Sequence, residues 1–134
     1  MKTIVLDTNI LIDNVHGFAS WLSDCLAKPA SFQLVIPTIV FAEYFAAQEL
    51  EIKAEVDKSR AYLALFMVQD LTIDIAETLG TLLRRKTHPP SAGLGDLIIA
   101  STAITLNAPL ATRNKNHFRE IPNLRFFDPL TVNN

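Results

Sequence analysis

The sequence predicts an α/β protein, a three-layer α/β/α sandwich with a mainly parallel central sheet. Short apolar runs, typical of buried strands, alternate with longer segments whose apolar residues recur at helical spacing. Several of these runs end abruptly in polar residues, as parallel strands do where they deliver side chains to one edge of a sheet. A hydrophobic content of 49% over 134 residues suffices for one buried core, so we expect a single domain over residues 1–134.

The first strand is expected at residues 3–6, where three apolar residues follow Thr3, as in a central strand covered on both faces. Further strands are expected at 33–36, near 67–72, at 109–111 and at 124–127. The limits of the strand near 67–72 stay open, because the apolar residues there surround Gln69 and Asp70. Helical segments between these strands make parallel crossovers the expected connections.

The segments between the first three strands carry helical patterns. After the first strand we expect a helical turn at 10–12 and a loop at 14–17. From Phe18 to Leu26, apolar residues recur at helical spacing and form one face. Thr38 is the expected N-cap of a helix over 39–47.

A charged helix is expected next, running from Glu49 to Arg60, with Glu49 and Lys53 as an ion pair four residues apart. Asp74 and Glu77 resemble a capping box that opens a helix closed by Arg84, Arg85 and Lys86. A loop over 87–93 precedes a largely apolar helix that opens at Gly95-Asp96 and runs to Leu106, and a helical turn is expected at 116–118.

Composition narrows the range of functions. A formal charge of -2 leaves no large basic footprint for duplex nucleic acid, so any nucleic-acid contact must be local or metal-assisted. Cys25 is the single cysteine, which excludes an internal disulfide and a cysteine-based zinc site; we expect it in the core. No apolar run approaches the ~20 residues of a membrane span, and the N-terminus lacks a signal peptide pattern. We therefore expect a cytoplasmic protein.

Three acidic residues stand at positions where chemistry is expected. Asp7 ends the first strand, Glu43 stands alone among apolar neighbours in the second turn of its helix, and Asp96 lies in a helical first turn. Each has a structural alternative: Asp7 as a turn or helix cap, Glu43 at an exposed helix edge, and Asp96 as an N-terminal cap. Because all three come near strand ends, we expect them to gather with Asn114 at one edge of the sheet.

Carboxylates that gather in this way repel one another, by about 4 kcal/mol for two charges ~4 Å apart at an effective dielectric of 20. A divalent cation relieves that repulsion, and hard oxygen ligands select Mg²⁺ or Mn²⁺, which also bind phosphate oxygens. Metal-assisted hydrolysis of phosphodiesters is therefore the expected reaction class. No serine or cysteine triad and no glycine-rich phosphate loop competes with this interpretation.

Four motifs in series resemble those of the PIN-domain ribonucleases, specifically the VapC-type toxins. They are Asp7-Thr8-Asn9, Phe41-Ala42-Glu43-Tyr44, the run from Gly95-Asp96 to Ala100, and Ala111-Thr112-Arg113-Asn114 with Phe118. The resemblance covers nearly the whole chain. It implies an α/β/α fold, metal-dependent endonucleolytic cleavage of RNA, and a homodimer held inactive by a cognate antitoxin protein.

The resemblance also implies roles for individual residues. Asp7, Glu43 and Asp96 match the principal acids, which act in catalysis and bind the metal. The supporting pocket residues are Thr8, Asn9, Thr112 and Asn114. The sequence departs at the fourth acid, whose two usual places hold His117 and Asn114, and a neutral amide or imidazole contributes no negative charge toward a second metal. His117 is either a phosphate contact or proton carrier, or a surface histidine.

Basic residues near these motifs are the candidates for contacts with the RNA backbone. The three that close a predicted helix, Arg84, Arg85 and Lys86, have a structural alternative, since cations in a last helical turn complement the helix dipole. The candidates are Arg84, Arg85, Lys86, Arg113 and Lys115. A non-catalytic RNA- or protein-binding module of the same fold is the alternative function. A phosphate-accepting receiver domain fits poorly, because it needs adjacent acids after the first strand, where only Asp7 stands.

Overall fold

The structure is a computed structural model that describes residues 1–133, and within them a four-stranded parallel sheet is surrounded by six α-helices. The strands are β1 (Lys2–Leu6), β2 (Phe32–Pro37), β3 (Met67–Gln69) and β4 (Leu110–Ala111). The helices are α1 (Thr8–Val15), α2 (Ser20–Leu26), α3 (Thr38–Ala46), α4 (Lys53–Leu63), α5 (Ile73–Arg85) and α6 (Leu94–Thr105). The predicted α/β alternation is confirmed.

The strand order β3-β2-β1-β4 determines where the helices lie. The chain steps from β1 outward to β2 and β3, then returns past β1 to form β4, and every pairing is parallel. Because parallel crossovers are right-handed, α1 to α4 cover one face and α5 and α6 the other. This confirms the three-layer sandwich. The reversal of direction beside β1 creates a crevice at the carboxyl end of that strand, where α/β proteins bind ligands.

The sheet is buried as predicted, with Ile4, Val5 and Leu6 of β1 almost fully inaccessible to solvent. These residues and the apolar faces of the helices form one cluster of buried side chains. Cys25 belongs to it, as expected, and is a free thiol with an exposed fraction of 1%. None of the helices described over residues 1–133 has the length and apolar character needed to cross a bilayer.

Helix boundaries differ from the sequence prediction in the first half of the chain. The expected helical turn at 10–12 is a full helix that begins directly after Asp7 and extends into the expected loop at 14–17. Thr38 is not a cap: the extended backbone of Pro37 precedes α3, and Thr38 is its first residue. Phe18 does not belong to the apolar face of α2, because it lies before the helix and its exposed fraction is 68%.

The expected ion pair and capping box in the middle of the chain are also wrong. Helix α4 begins only at Lys53, which places Glu49 outside it, and Lys53 pairs with Asp57 at 2.8 Å instead. The N-cap of α5 is Thr72, whose hydroxyl accepts the Ile75 N–H at 3.3 Å. Asp74 therefore lies within the first turn of α5 rather than capping it.

Two predicted strands, near 67–72 and at 124–127, differ from the expectation. β3 covers three residues, Met67–Gln69, and this range gives the limits that the sequence left open. The strand predicted at 124–127 is wrong: a single parallel bridge joins Leu110 to Phe126, with hydrogen bonds on either side of Leu110. Because β4 has only two residues, the segment around Phe126 cannot pair with it over a longer stretch. The expected turn at 116–118 is a 3-10 helix over Lys115–His117.

Tyr62 joins α4 to the first two helices and yields a stability prediction. Its hydroxyl donates to Asn14 Oδ1 at 2.8 Å, and Asn14 Nδ2 donates to Ala19 O and Ser23 Oγ. Burial raises the pKa of Tyr62, so the hydroxyl remains a donor. Replacing Tyr62 by Phe leaves Asn14 one partner short and should lower the free energy of unfolding by about 1 kcal/mol in urea titrations. An unchanged unfolding midpoint would show that water replaces the hydroxyl without loss.

Candidate active site

Asp7 stands where β1 becomes α1, and both of its carboxylate oxygens are hydrogen-bonded. Oδ1 accepts the Thr8 N–H at 2.7 Å, while Oδ2 accepts the Thr112 hydroxyl at 2.7 Å and Asn9 Nδ2 at 3.3 Å. The side chain is thus a helix cap, as the structural alternative proposed, but it also faces the end of β4. Its exposed fraction is only 6%. Burial and, to a lesser extent, the charge of Asp96 raise the pKa of Asp7. The hydrogen bonds that its carboxylate accepts act in the opposite direction, but the pKa remains raised.

Sheet register explains why Thr112 meets Asp7. Leu6 and Ala111 are paired across β1 and β4, so the residues that follow them leave the sheet side by side. The Asp7 N–H donates to Ala111 O at 3.0 Å and completes this alignment. Thr112 is itself buried, and its hydroxyl oxygen accepts the Asn114 N–H at 3.1 Å. The segment after β4 is therefore tied directly to the Asp7 carboxylate.

Glu43 projects from the second turn of α3 toward the same edge. The Thr8 hydroxyl donates to Glu43 Oε1 at 2.8 Å, which turns the carboxylate toward the site although the residue is exposed. A methyl group added at Gly95 would lie 3.5 Å from Glu43 Oε2, so the first turn of α6 borders this carboxylate closely. Partial burial raises the pKa of Glu43, the charges of Asp7 and Asp96 add to this, and the Thr8 bond opposes it.

Asp96 approaches from the first turn of α6. Its Oδ2 accepts the Gly93 N–H at 3.2 Å, so the predicted capping role is present as well. The same oxygen lies 3.5 Å from His117 Nδ1. Because the charge of Asp96 raises the pKa values of both other acids, the three carboxylates act on one another electrostatically.

Asn9 and Asp13 hold the segment after β4 from the side of α1. Asn9 Oδ1 accepts the Arg113 N–H at 3.1 Å, and Asp13 Oδ1 pairs with Arg113 Nη1 at 3.0 Å. The role of Asp13 was missed in the sequence. The signal was present, because residues four apart share a helix face, and Asn9 and Asp13 both reach Arg113 from that face. Asn114 joins this network through its backbone N–H.

The basic candidates divide into two groups. Arg113 and Lys115 follow β4 beside the acids, and Lys115 Nζ lies 5.7 Å from the centre of the Phe126 ring. The others end α5, where Lys86 adopts a left-handed backbone with φ of 55°. Within residues 1–133, no hydrogen bond or ion pair joins Arg84, Arg85 or Lys86 to the three acids. The structure therefore associates only the first group with the site.

The donor set fits a divalent cation by its chemistry. The three acids offer hard oxygen ligands, and no lysine or arginine in the described part of the chain pairs with them. No group of three or more His, Cys, Asp or Glu side chains within residues 1–133 is arranged as a ready metal cage. Mg²⁺ does not require one, because it keeps several waters and usually binds one or two carboxylates.

Comparison with known proteins gives a consistent result. A model of the PIN domain family matches residues 4–124. The chain is 31% identical to ribonuclease VapC19 of Mycobacterium tuberculosis over 131 residues, 90% of this chain and 96% of that protein. It is also 31% identical to ribonuclease VapC10 of the same organism, over 86% of this chain and 85% of that one.

A solved structure also resembles this fold along nearly its whole length. The structure is that of VapBC2 from Rickettsia felis bound to a DNA fragment from the promoter of the pair. The matched chain is 29% identical, with a TM-score of 0.75, and the match covers 93% of this chain and 97% of that one.

Proposed function

The chain belongs to the PIN domain family, and from that premise we propose that it is a metal-dependent endoribonuclease, the toxin of a toxin–antitoxin pair. The relatives of similar length are named as ribonucleases, which supports the reaction class. The observation that carries the proposal is the meeting of Asp7, Glu43 and Asp96 at the carboxyl end of β1. They come from three different elements and are coupled through Thr8 and through their charges.

We assign the three acids to metal binding and catalysis. Mg²⁺ or Mn²⁺, when bound, would polarise the phosphoryl group and lower the pKa of a bound water. The chain's own residues orient the acids: Thr112 and Asn9 fix the Asp7 carboxylate, and Thr8 fixes Glu43. Glu43 is exposed, and only its Oε1 accepts a hydrogen bond, so we choose this carboxylate to take the proton from the attacking water.

Cleavage of RNA by the purified protein tests this function. A structured RNA mixture that includes transfer RNAs should give discrete fragments with Mg²⁺ or Mn²⁺ and remain intact with EDTA. Activity should return when the metal is added in excess of EDTA. RNA that is bound but stays intact in every metal would favour the non-catalytic binding module, whose discriminating sign in the sequence is the absence of an acid at positions 114 and 117.

The toxin role adds a protein partner and a cellular consequence. VapBC2 of Rickettsia felis, which this chain resembles, is a pair of proteins, and we propose an antitoxin for this chain too. An antitoxin segment with a basic side chain among the three carboxylates would compete with the metal.

We place the reaction in the cytoplasm. Induced expression of the chain should arrest growth of a bacterial host, whereas expression of the Asp7→Asn variant should not.

We propose that the active form is a homodimer that covers the exposed side of α3. Nearly every residue of this helix is apolar, yet Ala42 and Ala46 are exposed, and the stacked rings of Phe41 and Phe45 are only partly buried. A helix that is apolar all round is normally covered. A second copy of the chain, joined about a twofold axis, would cover the same helix on both protomers.

The oligomeric state of an Ala46→Arg variant tests the homodimer. The arginine places a charge on the exposed side of α3 while suiting the dipole at its C-terminal end. Light scattering after size exclusion should give a dimer for the wild type and a monomer for this variant. The matched control is Ala61→Arg, an exposed alanine in the last turn of α4, which should stay dimeric. A dimeric Ala46→Arg protein would place the interface elsewhere.

A further inference from the structure

A small cavity of about 250 Å³ lies beside the acidic edge of the sheet. It is lined by five consecutive residues, Arg113, Asn114, Lys115, Asn116 and His117, which we call the basic loop. Every one of these side chains carries a nitrogen that can donate a hydrogen bond, and none is a carboxylate. The composition of the cavity therefore favours an anionic ligand with several acceptor oxygens.

Both ends of the basic loop are attached to the acidic site. At its start, Arg113 and Asn114 donate their backbone N–H groups to Asn9 and Thr112, the two side chains that hydrogen-bond to Asp7. At its end, His117 Nδ1 lies 3.5 Å from Asp96 Oδ2. A phosphate in this cavity would therefore be a close neighbour of any phosphate held at the three acids.

The cations of the basic loop are held in place before any ligand arrives. The Arg113 guanidinium contacts Asp13 at 3.0 Å, and its side chain is still 61% exposed, which leaves donors for a second partner. The Lys115 ammonium lies over the Phe126 ring, and that contact leaves its N–H donors available. Side chains ordered in this way lose less conformational entropy on binding.

The net charge of the whole chain explains why the cations of the basic loop matter for binding a polyanion. A protein with a net charge of -2 cannot attract a polyanion over its general surface, so a local cluster of cations has to supply the contact. The adjacent carboxylates repel a free anion that binds alone. A polymer that presents phosphates in series suits both sites, because one phosphate can occupy the acidic edge and the next the basic loop.

We propose that the basic loop is a phosphate subsite that binds the RNA backbone on one side of the scissile linkage, independently of base sequence. This proposal rests on the proposed ribonuclease function. It assigns Lys115 to direct contact with a backbone phosphate and makes Arg113 the second cation of the subsite. His117, at the border with Asp96, closes the subsite on the side of the acids.

The affinity for a short fluorescein-labelled single-stranded RNA tests the subsite, measured by anisotropy in EDTA, which removes the metal that cleavage needs. The Lys115→Gln change should weaken binding about tenfold for all sequences and reduce the slope of log affinity against log salt by about 0.7. Lys115→Arg should retain most of the affinity and the slope. The matched control Lys58→Gln removes a lysine from the exposed surface of α4 and should change neither.

A second variant avoids the packing of Lys115 on Phe126. Asn116→Asp adds one negative charge to the cavity with almost no change in shape, and it should weaken binding about tenfold as well. Effects of both variants no larger than that of Lys58→Gln would overturn the subsite, even if the wild type cleaves RNA. Conversely, intact RNA with wild-type protein and Mg²⁺ would refute the ribonuclease, whereas losses of affinity in both variants would still support the phosphate subsite.

Discussion

Asp7→Asn should reduce the rate of RNA cleavage by about 10³-fold or more while leaving the fold intact. Asparagine keeps the shape of the side chain but removes the negative charge that binds a divalent cation, and the cation would stabilise the negative charge that develops on the phosphoryl group. Its amide also cannot accept from both Thr8 and Thr112 as the carboxylate does, which misplaces the group. The measurement is single-turnover cleavage with saturating Mg²⁺ or Mn²⁺.

Stability separates this effect from unfolding. In the Asp7→Asn protein one hydrogen bond is lost, which costs about 1 kcal/mol, but the cost of burying a charge beside two other acids is removed. The free energy of unfolding should therefore change by only about 1 kcal/mol in either direction. Cleavage that survives in the folded variant at more than about a tenth of the wild-type rate would remove Asp7 from the catalytic residues.

The metal-free protein should lose stability as the pH rises, and a divalent cation should restore it. The pKa values of Asp7 and Glu43 are raised in the fold, so the folded protein retains protons that the unfolded chain has released. The resulting stabilisation is complete below their ordinary values of 3.8 and 4.5 and is lost as the pH rises through the raised values. For the buried Asp7, each unit of increase corresponds to about 1.4 kcal/mol.

Urea unfolding in EDTA at a series of pH values measures this dependence, and the Asp7→Asn variant should show a shallower decline. At neutral pH, Mn²⁺ at a hundredfold excess over its dissociation constant should stabilise the wild type by about 2.7 kcal/mol and the variant by much less. Equal stabilisation of both proteins would mean that the cation binds away from Asp7. A wild-type stability that is flat across the acid range would contradict the raised pKa values.

Much of the architecture could be predicted from the sequence, because the local pattern of apolar residues indicates which side chains are buried. Runs such as Ile4 to Leu6 indicate a strand covered on both faces, and the helical spacing around Leu22 and Cys25 indicates one buried face. The ends of the helices were harder to predict from the sequence. A helix cap depends on the backbone geometry, and several neighbouring polar residues are chemically able to serve as the cap. Thr72 rather than Asp74 begins α5, and Asp7 itself begins α1.

The sequence by itself determined the parallel α/β arrangement and singled out the three acids as candidates, because a charged residue at a strand end or within an apolar helix is locally conspicuous. Only the tertiary structure decided how the acids are held. Thr8 reaches Glu43 across 35 positions of the chain, and Thr112 reaches Asp7 across 105. The attachment of the basic loop by Asn9 and Asp13 is equally distant in sequence. Such contacts follow from strand order and register, which bring remote segments together, and no local spacing encodes them.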